Sequence, residues 1–471
     1  MEILSGTFQT DTKLLDDVLG IGRNYDITSR ALLIGGKRAQ LYFLDGYGKD
    51  QVIERILAFM LSLSPEQVAA AQTMEDFTQR FGTYGETVVE RDIETIVTSL
   101  LLGKCVLLLE GMAEAMLFDA KLYPMRSVEE PSDGKVLRGS HDGFTEVVKK
   151  NSALIRRRIR DPKLVMENHR VGTRSKTDVV LCYLDDRVDR KALKQIRDRL
   201  DSIDVQSVSM GQESIAEAMH RPQWFNPFPR VRYTERPDAA AASVMEGSII
   251  LMVDNSPSVM ILPTSFFDFI QETNDYYFPP LVGTYLRFVR FFIFLASLVV
   301  TPLWYLAMMH PQWIPSWLVF IGIEEPNGVP LILQLLLLEL IVDLLKLASL
   351  NTPDVLSTSF SMLGALILGD FAVRANWLVP EVLVYIAFVA VANFAQPSFE
   401  LGYAFKLMRM VLLILSALFS VWGFVGGIAL MCFLIAKTEP LAGAYLYPVY
   451  PFDWKALRHL LFRQPINRDN T

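Results

Sequence analysis

Cysteine and histidine are scarce in these 471 residues: three of the first, Cys105, Cys182 and Cys432, and five of the second. Neither falls at metal-ligand spacing, so a zinc or iron–sulfur centre is not expected. Two of the cysteines sit in strand-like runs and one in an apolar span, the setting of buried, reduced thiols. Catalytic signatures are missing too. There is no Walker A loop, no GxGxxG after a strand, no GxSxG and no HExxH. An enzyme and a bound cofactor are therefore not expected. Basic residues do not outnumber acidic ones, 45 against 52, which excludes a dedicated nucleic-acid binder. The start, MEILSGTFQTDTKLLDD, has neither a basic n-region nor an apolar h-region, so no secretory signal is read there.

What the chain does have is apolar sequence in one half and charge in the other. From residue 285 onward there are 11 basic and 11 acidic residues; the first 284 residues hold 34 and 41. The whole net charge of −7 thus belongs to the N-terminal part. This split predicts an α/β soluble N-terminal region followed by an α-helical polytopic membrane domain.

The soluble region reads as two related subdomains. RALLIGGKRAQLYFLDGY is a pair of strands around a glycine turn, and KDQVIERILAFMLSL has helical spacing. DIETIVTSLLLG is a second helix stopping at Gly103, and CVLLLEGMAEAMLFD a hairpin. The order then recurs: strand TDVVLCYLDD, helix RKALKQIRDRLDSI, helix DAAAASVMEG, hairpin SIILMVDNSPSVMILP. The hairpins align without gaps, Gly103 with Gly247, Leu107 with Leu251, Gly111 with Asn255 and Met116 with Met260. The expected boundaries are 1–136 for the first subdomain and 137–280 for a basic helix plus the second. A membrane domain follows at 281–437 and a basic tail at 438–471.

Between the subdomains, seven basic residues fall within fifteen positions, Lys149 to Lys163. A helix ended by Pro162 would place Arg156 and Arg160 one turn apart, with Arg157 and Arg158 beside them. These four arginines are the candidates for contact between subdomains or protomers, because acidic residues are in excess elsewhere. A solvated face, or a contact with anionic headgroups, is the alternative.

In the membrane part, residues 288–309, 329–350, 360–373, 379–395 and 408–436 are candidate spans, giving about four to five crossings plus re-entrant or interfacial pieces such as WIPSWLVFIGI. Arg287 and Arg290 at one end of the first span, and Trp304 and Tyr305 at the other, read as interfacial anchors. Gly423, Gly426 and Gly427 are expected to break or kink the last run, which is too long for one straight span. The basic flank and tail place the soluble region and the C-terminus in the cytoplasm. LELIVDLLKLASL is unusual: Glu339, Asp343 and Lys346 fall within about 60° on one helix face. A charge at mid-bilayer costs on the order of 3 kcal/mol, so these three must face protein or water, either as a clamp between helices or along an ion pathway. Asp343 and Lys346 could pair with each other. Just beyond, Ser357, Ser361, Ala365 and Gly369 repeat every four residues, with Gly364 alongside. Such a stripe serves close helix packing or lines a narrow pore.

RGSHDGFTE, NSALIRRRIRDPKL, VGTRSKTDVVLCYLDD, FPRVRYTERPD and EGSIILMVDNSPSVMILPTSFFDFIQETNDYYFPP, in that order, resemble the GerA family of spore germination proteins, A subunits. The likeness runs from about residue 30 to 455, and YDITSRALLIGGKRAQLYFLDGYGKD with the short N-terminus points to one subgroup. Where the family has an ELLREAGIRLP-like segment, this chain has DLLKLASLNTP. Leu347 and Asn351 replace a Glu and an Arg there, so nutrient sensing is not carried over. The resemblance implies a multi-pass protein of the spore inner membrane, an oligomeric ring that conducts monovalent ions during germination. Its partners would be other spore membrane proteins and membrane lipids, without nucleic acid. A secondary transporter subunit and a non-conducting scaffold are the competing readings.

Overall fold

The computed structural model describes residues 3–48, 50–82, 86–121, 140–220, 223–272, 275, 277–350 and 371–463. It resolves into two compact units that interleave along the chain. One comprises Met1–Pro222, Val231–Thr264 and Leu441–Gly443; the other Gln223–Arg230, Ser265–Pro440 and Ala444–Thr471.

The first unit holds two five-stranded antiparallel sheets of the same topology. In the first, strands β1 (Ile27–Ile34), β2 (Lys37–Leu44), β3 (Thr87–Glu90), β4 (Cys105–Leu109) and β5 (Ala115–Phe118) lie in the order β1-β2-β4-β5-β3. In the second, β6 (Leu164–Val171), β7 (Thr177–Leu184), β8 (Arg232–Thr234), β9 (Ile249–Val253) and β10 (Val259–Leu262) lie in the order β6-β7-β9-β10-β8. The register agrees in detail: Leu107 pairs with Met116, and Leu251 with Met260. Every residue of β4 and β9 is buried. That is why CVLLL and IILMV read as unbroken apolar runs: successive side chains go to opposite faces, and both faces are covered.

Helices supply the covers. On the first sheet, α1 (Phe8–Leu19) and α5 (Ile93–Leu101) cover the face of Val106 and Leu108. Helices α2 (Asp50–Leu61), α3 (Pro65–Ala69) and α4 (Met74–Phe81) cover the face of Leu107 and Met116. On the second, α6 (Val148–Arg158) and α9 (Pro237–Met245) cover Ile250 and Met252, and α7 (Arg190–Asp201) and α8 (Gln212–Met219) cover Leu251 and Met260. The equivalent helices α5 and α9 stop alike. Gly103 and Gly247 have φ of 93° and 100°, and the next residue donates back to Ser99 O and Ser243 O. This left-handed C-cap is cheap only for glycine. Gly111 and Asn255 likewise both turn their hairpins with positive φ.

The subdomains are joined by a buried ion pair. Arg156 on α6 donates from Nε to Asp26 Oδ2 at 2.8 Å and from Nη2 to Asp26 Oδ1 at 3.0 Å, and Nη1 reaches Leu164 O. Arg156 is 1% exposed and Asp26 4%. Around it, Met166 N donates to Asn24 Oδ1, Tyr25 N to Met166 O, and Tyr47 OH to Ala153 O. The helix ends at Arg158, not at Pro162: Ile159 is extended, with ψ of 98°. Arg160 therefore does not share a face with Arg156. It is exposed, as is Arg157, while Arg158 binds Asp142 within its own subdomain. The physical reason is that Ile159 has to turn inward to the core beneath β6 and β7.

The second unit is a helical bundle. It contains α10 (Pro280–Met309), α11 (Leu331–Leu350), α12 (Pro380–Phe394), α13 (Phe399–Lys437) and a short α14 (Trp454–Leu461). Helices α10 and α13 each carry an 18-residue stretch apolar enough to cross a membrane, with mean hydropathy 2.0 and 2.2. Outward stripes are apolar throughout: Leu281, Tyr285, Phe288, Phe292 and Leu295 on α10, and Leu333, Leu337, Leu340, Leu344 and Leu347 on α11. Inside, Phe266, Phe294 and Phe405 pack at one level, and Trp304, Tyr305, Leu338 and Leu413 at another.

Four sequence expectations change here. Trp304 and Tyr305 are core residues, 3% and 7% exposed, not interfacial anchors; Trp304 stacks on Tyr385 and donates to Ile321 O. Arg287 and Arg290 are buried against Asp275, with Glu272 also on Arg290. Cys432 is exposed on the outside of the bundle, while Cys105 and Cys182 are buried as expected. The long run does not kink at its glycines. It reverses at Ser420, where φ is 53° and ψ −132°. A Cβ on Gly423 would stand 1.9 Å from Leu415 O, and one on Gly427 2.6 Å from Leu412 Cδ2. In a straight helix those partners would be about 12 and 22 Å away along the axis. So α13 is a hairpin of two arms, 399–419 and 421–437, and the glycines let the second arm lie on the first.

Two outcomes follow for the first unit. Asp26→Ala leaves the Arg156 guanidinium buried without its carboxylate, and should cost about 3–5 kcal/mol in chemical denaturation of the purified chain. A wild-type midpoint would remove Arg156–Asp26 as the joint. The second concerns Glu167. Burial alone would raise its carboxyl, but His169, Arg197 and Tyr183 overcome this and hold it at about 2, below its usual 4.5. Its contribution to stability is present above 4.5 and lost as pH falls through about 2. His169 is raised above 6.5, first by Glu167 and also by Asp201. Its contribution is full below 6.5 and lost as pH rises through the folded value. The melting difference between wild type and His169→Gln is thus greatest between pH 4.5 and 6.5 and shrinks above it; a pH-independent difference would contradict the pairing.

Candidate functional site

Glu339 and Asp343 stand one turn apart on α11, and Lys406 and Arg409 one turn apart on the first arm of α13. The spacings i,i+4 and i,i+3 put each pair on one face, so the two faces present opposite charges to each other. Glu339 is 2% exposed, Lys406 3% and Arg409 0%. Removing such groups from water costs several kcal/mol each, and only close pairing with good hydrogen bonds offsets it.

That pairing is present. Arg409 Nε donates to Glu339 Oε1 at 2.8 Å, and Lys406 Nζ lies 3.3 Å from Glu339 Oε2. Lys406 also donates to the Glu339 carbonyl oxygen at 3.0 Å and lies 2.5 Å from Asp343 Oδ1. Arg409 reaches a third helix, donating from Nη1 to Ser297 O on α10 at 2.8 Å. Gln396 Nε2 meets the same serine through its hydroxyl at 3.3 Å. Two cations thus tie α10, α11 and α13 together, and their two carboxylate partners leave the cluster formally neutral.

Polarity fades along α11. Glu339 is enclosed, and Asp343 keeps 31% of its side chain exposed. Lys346, one turn further, does not pair with Asp343. Its ammonium stands 4.8 Å from the Phe394 ring centre and 5.3 Å from that of Tyr403, a cation–π seat between α12 and α13. The reason is competition. An intrahelical Asp–Lys pair is worth a few tenths of a kcal/mol, whereas Lys406, deeper in the bundle, cannot do without its carboxylates.

The structure therefore brings Glu339 and Asp343 together with two residues that sequence reasoning passed over. Their signal was legible: KLMR interrupts an apolar run of 39 residues, and two acids in one apolar helix require two bases in another. Ser357, Ser361, Gly364, Ala365 and Gly369 lie outside the described residues. Among the described residues no group of three or more His, Cys, Asp or Glu is placed to hold a metal ion.

Glu339→Ala strands the buried Arg409 guanidinium and leaves Lys406 with the Asp343 carboxylate alone, and should lower the stability of the detergent-purified chain by about 3–5 kcal/mol. Combining it with Asp343→Leu, Arg409→Leu and Lys406→Leu should recover most of the loss, since apolar replacement of a whole ion cluster is close to neutral. Equal melting of Glu339→Ala and wild type would mean that the cluster holds nothing together.

Known proteins resemble this sequence over nearly its full length. It matches the family model described as Bacillus/Clostridium GerA spore germination protein over residues 14–471. It is 38% identical over 451 residues to stage V sporulation protein AF of Bacillus subtilis (strain 168), covering 94% of this chain and 90% of that one. This is the subgroup indicated by the YDITSRALLIGGKRAQLYFLDGYGKD segment. Spore germination protein KA of the same organism is 28% identical over 451 residues, 94% of this chain and 82% of its own. Among solved structures, the N-terminal domain of the A subunit of the Bacillus megaterium spore germinant receptor GerK3 has a TM-score of 0.44 and 26% identity, covering 56% of this chain and 98% of that one. With two α/β sheets of one topology and an apolar bundle locked by buried charge, the chain is a membrane-associated protein that belongs to the GerA family of spore germination proteins.

Proposed function

We propose that the chain is one subunit of an oligomeric ion channel of the spore inner membrane, opened during germination to release monovalent ions. It crosses the membrane several times, does no enzymatic chemistry, and works with other spore membrane proteins. The observation that supports the reading is the polar face of α11 inside apolar helices, which passes from the enclosed Glu339, held by Lys406 and Arg409, to the partly open Asp343 and to Lys346. Charge is placed at that depth at a cost, and ion pathways are where membrane proteins accept such a cost.

The interior of a single bundle supports an assembly of several copies. It is filled by Phe294, Phe405, Trp304, Tyr305 and Leu413, so an ion is better accommodated between copies than within one. There the small-residue stripe Ser357, Ser361, Ala365 and Gly369, with Gly364, would line the axis. Arg157 and Arg160, exposed beyond the subdomain joint, are the arginines offered for contact between protomers. A transporter built on broken helices has less support. The break at Ser420 is not midway along a span; it lies against His310, the residue that ends α10, at 2.8 Å.

Reconstitution of the full chain in planar bilayers tests this. Unitary, stepwise currents are expected, with altered amplitude in Ser361→Phe or Gly364→Leu and altered ion selectivity in Asp343→Asn. Saturable flux without unitary events would mean a transporter, and silence with retained partner binding a scaffold.

A further inference from the structure

Residues 223–230, in the connection from α8 to β8, belong to the helical unit. From Gln223 to Pro229 they read QWFNPFP, without a charge. The segment is held at three points. Phe228 is 2% exposed and meets Phe405 of α13 edge to face at 6.1 Å. Tyr445 OH donates to Pro229 O at 2.7 Å. Asn226 Nδ2 donates to Thr438 Oγ1 at 2.7 Å and to Leu434 O at 3.4 Å, which fixes the segment to the end of the second arm of α13. Its tip is a closed turn: Asn226 N donates back to Gln223 O, and Phe228 N to Asn226 Oδ1, both at 3.2 Å. Trp224 and Phe225 are the two corner residues, where Gly, Pro, Asn or Asp are usual. Their rings stand edge to face at 5.2 Å and are 91% and 83% exposed. Neither turn chemistry nor the core uses them, so the turn holds an apolar pair out for a contact beyond the chain.

The place of the turn selects the contact. The second arm of α13, 421–437, has no Asp, Glu, Lys or Arg before Lys437. At 1.5 Å per residue it is about 25 Å long, close to the roughly 30 Å of a bilayer's hydrocarbon core. Val425, Leu430 and Phe433 are exposed along it. At its end the Lys437 ammonium stands 5.8 Å from the Phe433 ring centre, as in a lysine whose stem lies on apolar surface and whose charge reaches the boundary. This end is therefore where hydrocarbon gives way to headgroups, and Asn226 ties the turn to it. An uncharged turn with its own backbone bond and two adjacent aromatic rings suits that level. It does not suit a protein partner. Two such side chains offer on the order of 400 Å², about half of the roughly 800 Å² that one side of a stable protein interface buries.

We infer that the 223–226 turn is a membrane-surface anchor, with the Trp224 and Phe225 rings inserted among the lipid headgroups and first acyl carbons beside the end of α13. The inference rests on the bundle lying in a membrane, as the proposed function does, and not on its conducting ions. The anchor holds the α8–β8 connection at one depth of the bilayer, although no membrane-crossing helix lies next to it in sequence.

The test places a nitroxide on single cysteines of the full chain in phosphatidylcholine vesicles, in a Cys432→Ala background whose other cysteines are buried. Collision with oxygen, which concentrates in hydrocarbon, is compared with collision with a water-soluble nickel chelate. Leu430→Cys reports insertion of the bundle, and Met210→Cys, at a position 76% exposed in the first unit, reports water. Trp224→Cys and Phe225→Cys are labelled one at a time, so that the other ring stays. The ratio of oxygen to nickel collisions at both should be several-fold above that at 210, with oxygen favoured as at 430. Nickel favoured at 224 and 225, with oxygen favoured at 430, overturns the anchor while leaving the membrane reading intact. Loss of both kinds of collision at 224 and 225 means that protein covers the turn, and overturns the anchor as well. Nickel favoured at 430 overturns both.

Discussion

A guanidinium removed from water must meet its carboxylate, and in the helical unit Arg409 meets Glu339. Everything about that bundle is arranged to let it happen. Arg409 is fully enclosed, and the Ser297 carbonyl of α10 takes up its Nη1, while Nη2 has no hydrogen-bond partner among the described residues. Lys406, one turn away, occupies the other oxygen of Glu339 and then Asp343. Apolar side chains can slide past one another at little cost, whereas a buried salt bridge has one good register. The cluster thus sets how α11 sits along α13, and the aromatic layers above and below pack to that register. Arg156 and Asp26 do the same for the two sheets of the other unit, where both partners are again buried and here the contact is bidentate.

The reversal at Ser420 is the second constraint on the bundle. A residue with positive φ and no glycine's freedom is costly, and here the turn is secured by the His310 ring against its hydroxyl. Close approach of the arms then requires the absence of side chains at 423 and 427, which is why glycine stands there and why Gly426, facing open space, does not serve the same purpose. As a result α13 returns toward the end of the bundle from which it started. It forms two packed arms instead of a single overlong span.

Much of the first unit was legible in the sequence. The unbroken apolar runs of β4 and β9 carried the two-faced burial, and the glycines at 103 and 247 carried the helix stops, because a left-handed cap admits few other residues. The matching hairpins then exposed the duplication. The bundle was less readable for a physical reason. Apolar periodicity reports which face is inward, not which helix lies opposite. Trp304 and Tyr305 therefore looked like anchors when they are core, and three glycines looked like the bend when Ser420 is. In the basic helix, local spacing could not anticipate that Ile159 would be drawn into the core and end the helix a turn early.

Glu339 and Asp343 began as equivalent acids on one helix face and end with different capacities. Glu339 has both carboxylate oxygens and its carbonyl engaged by two enclosed cations. An ion could not bind there without displacing a guanidinium that has nowhere else to go, so Glu339 acts as the clamp. Asp343 shares Lys406 with Glu339 and keeps nearly a third of its side chain open. Lys346 beyond it is held by aromatic faces, an attraction weaker and less directional than an ion pair. The polar face of α11 thus passes from locked to accessible within two turns. On the proposed reading, a contribution of this helix to ion passage would come from its Asp343 end, while the Glu339 end holds α11 to α13.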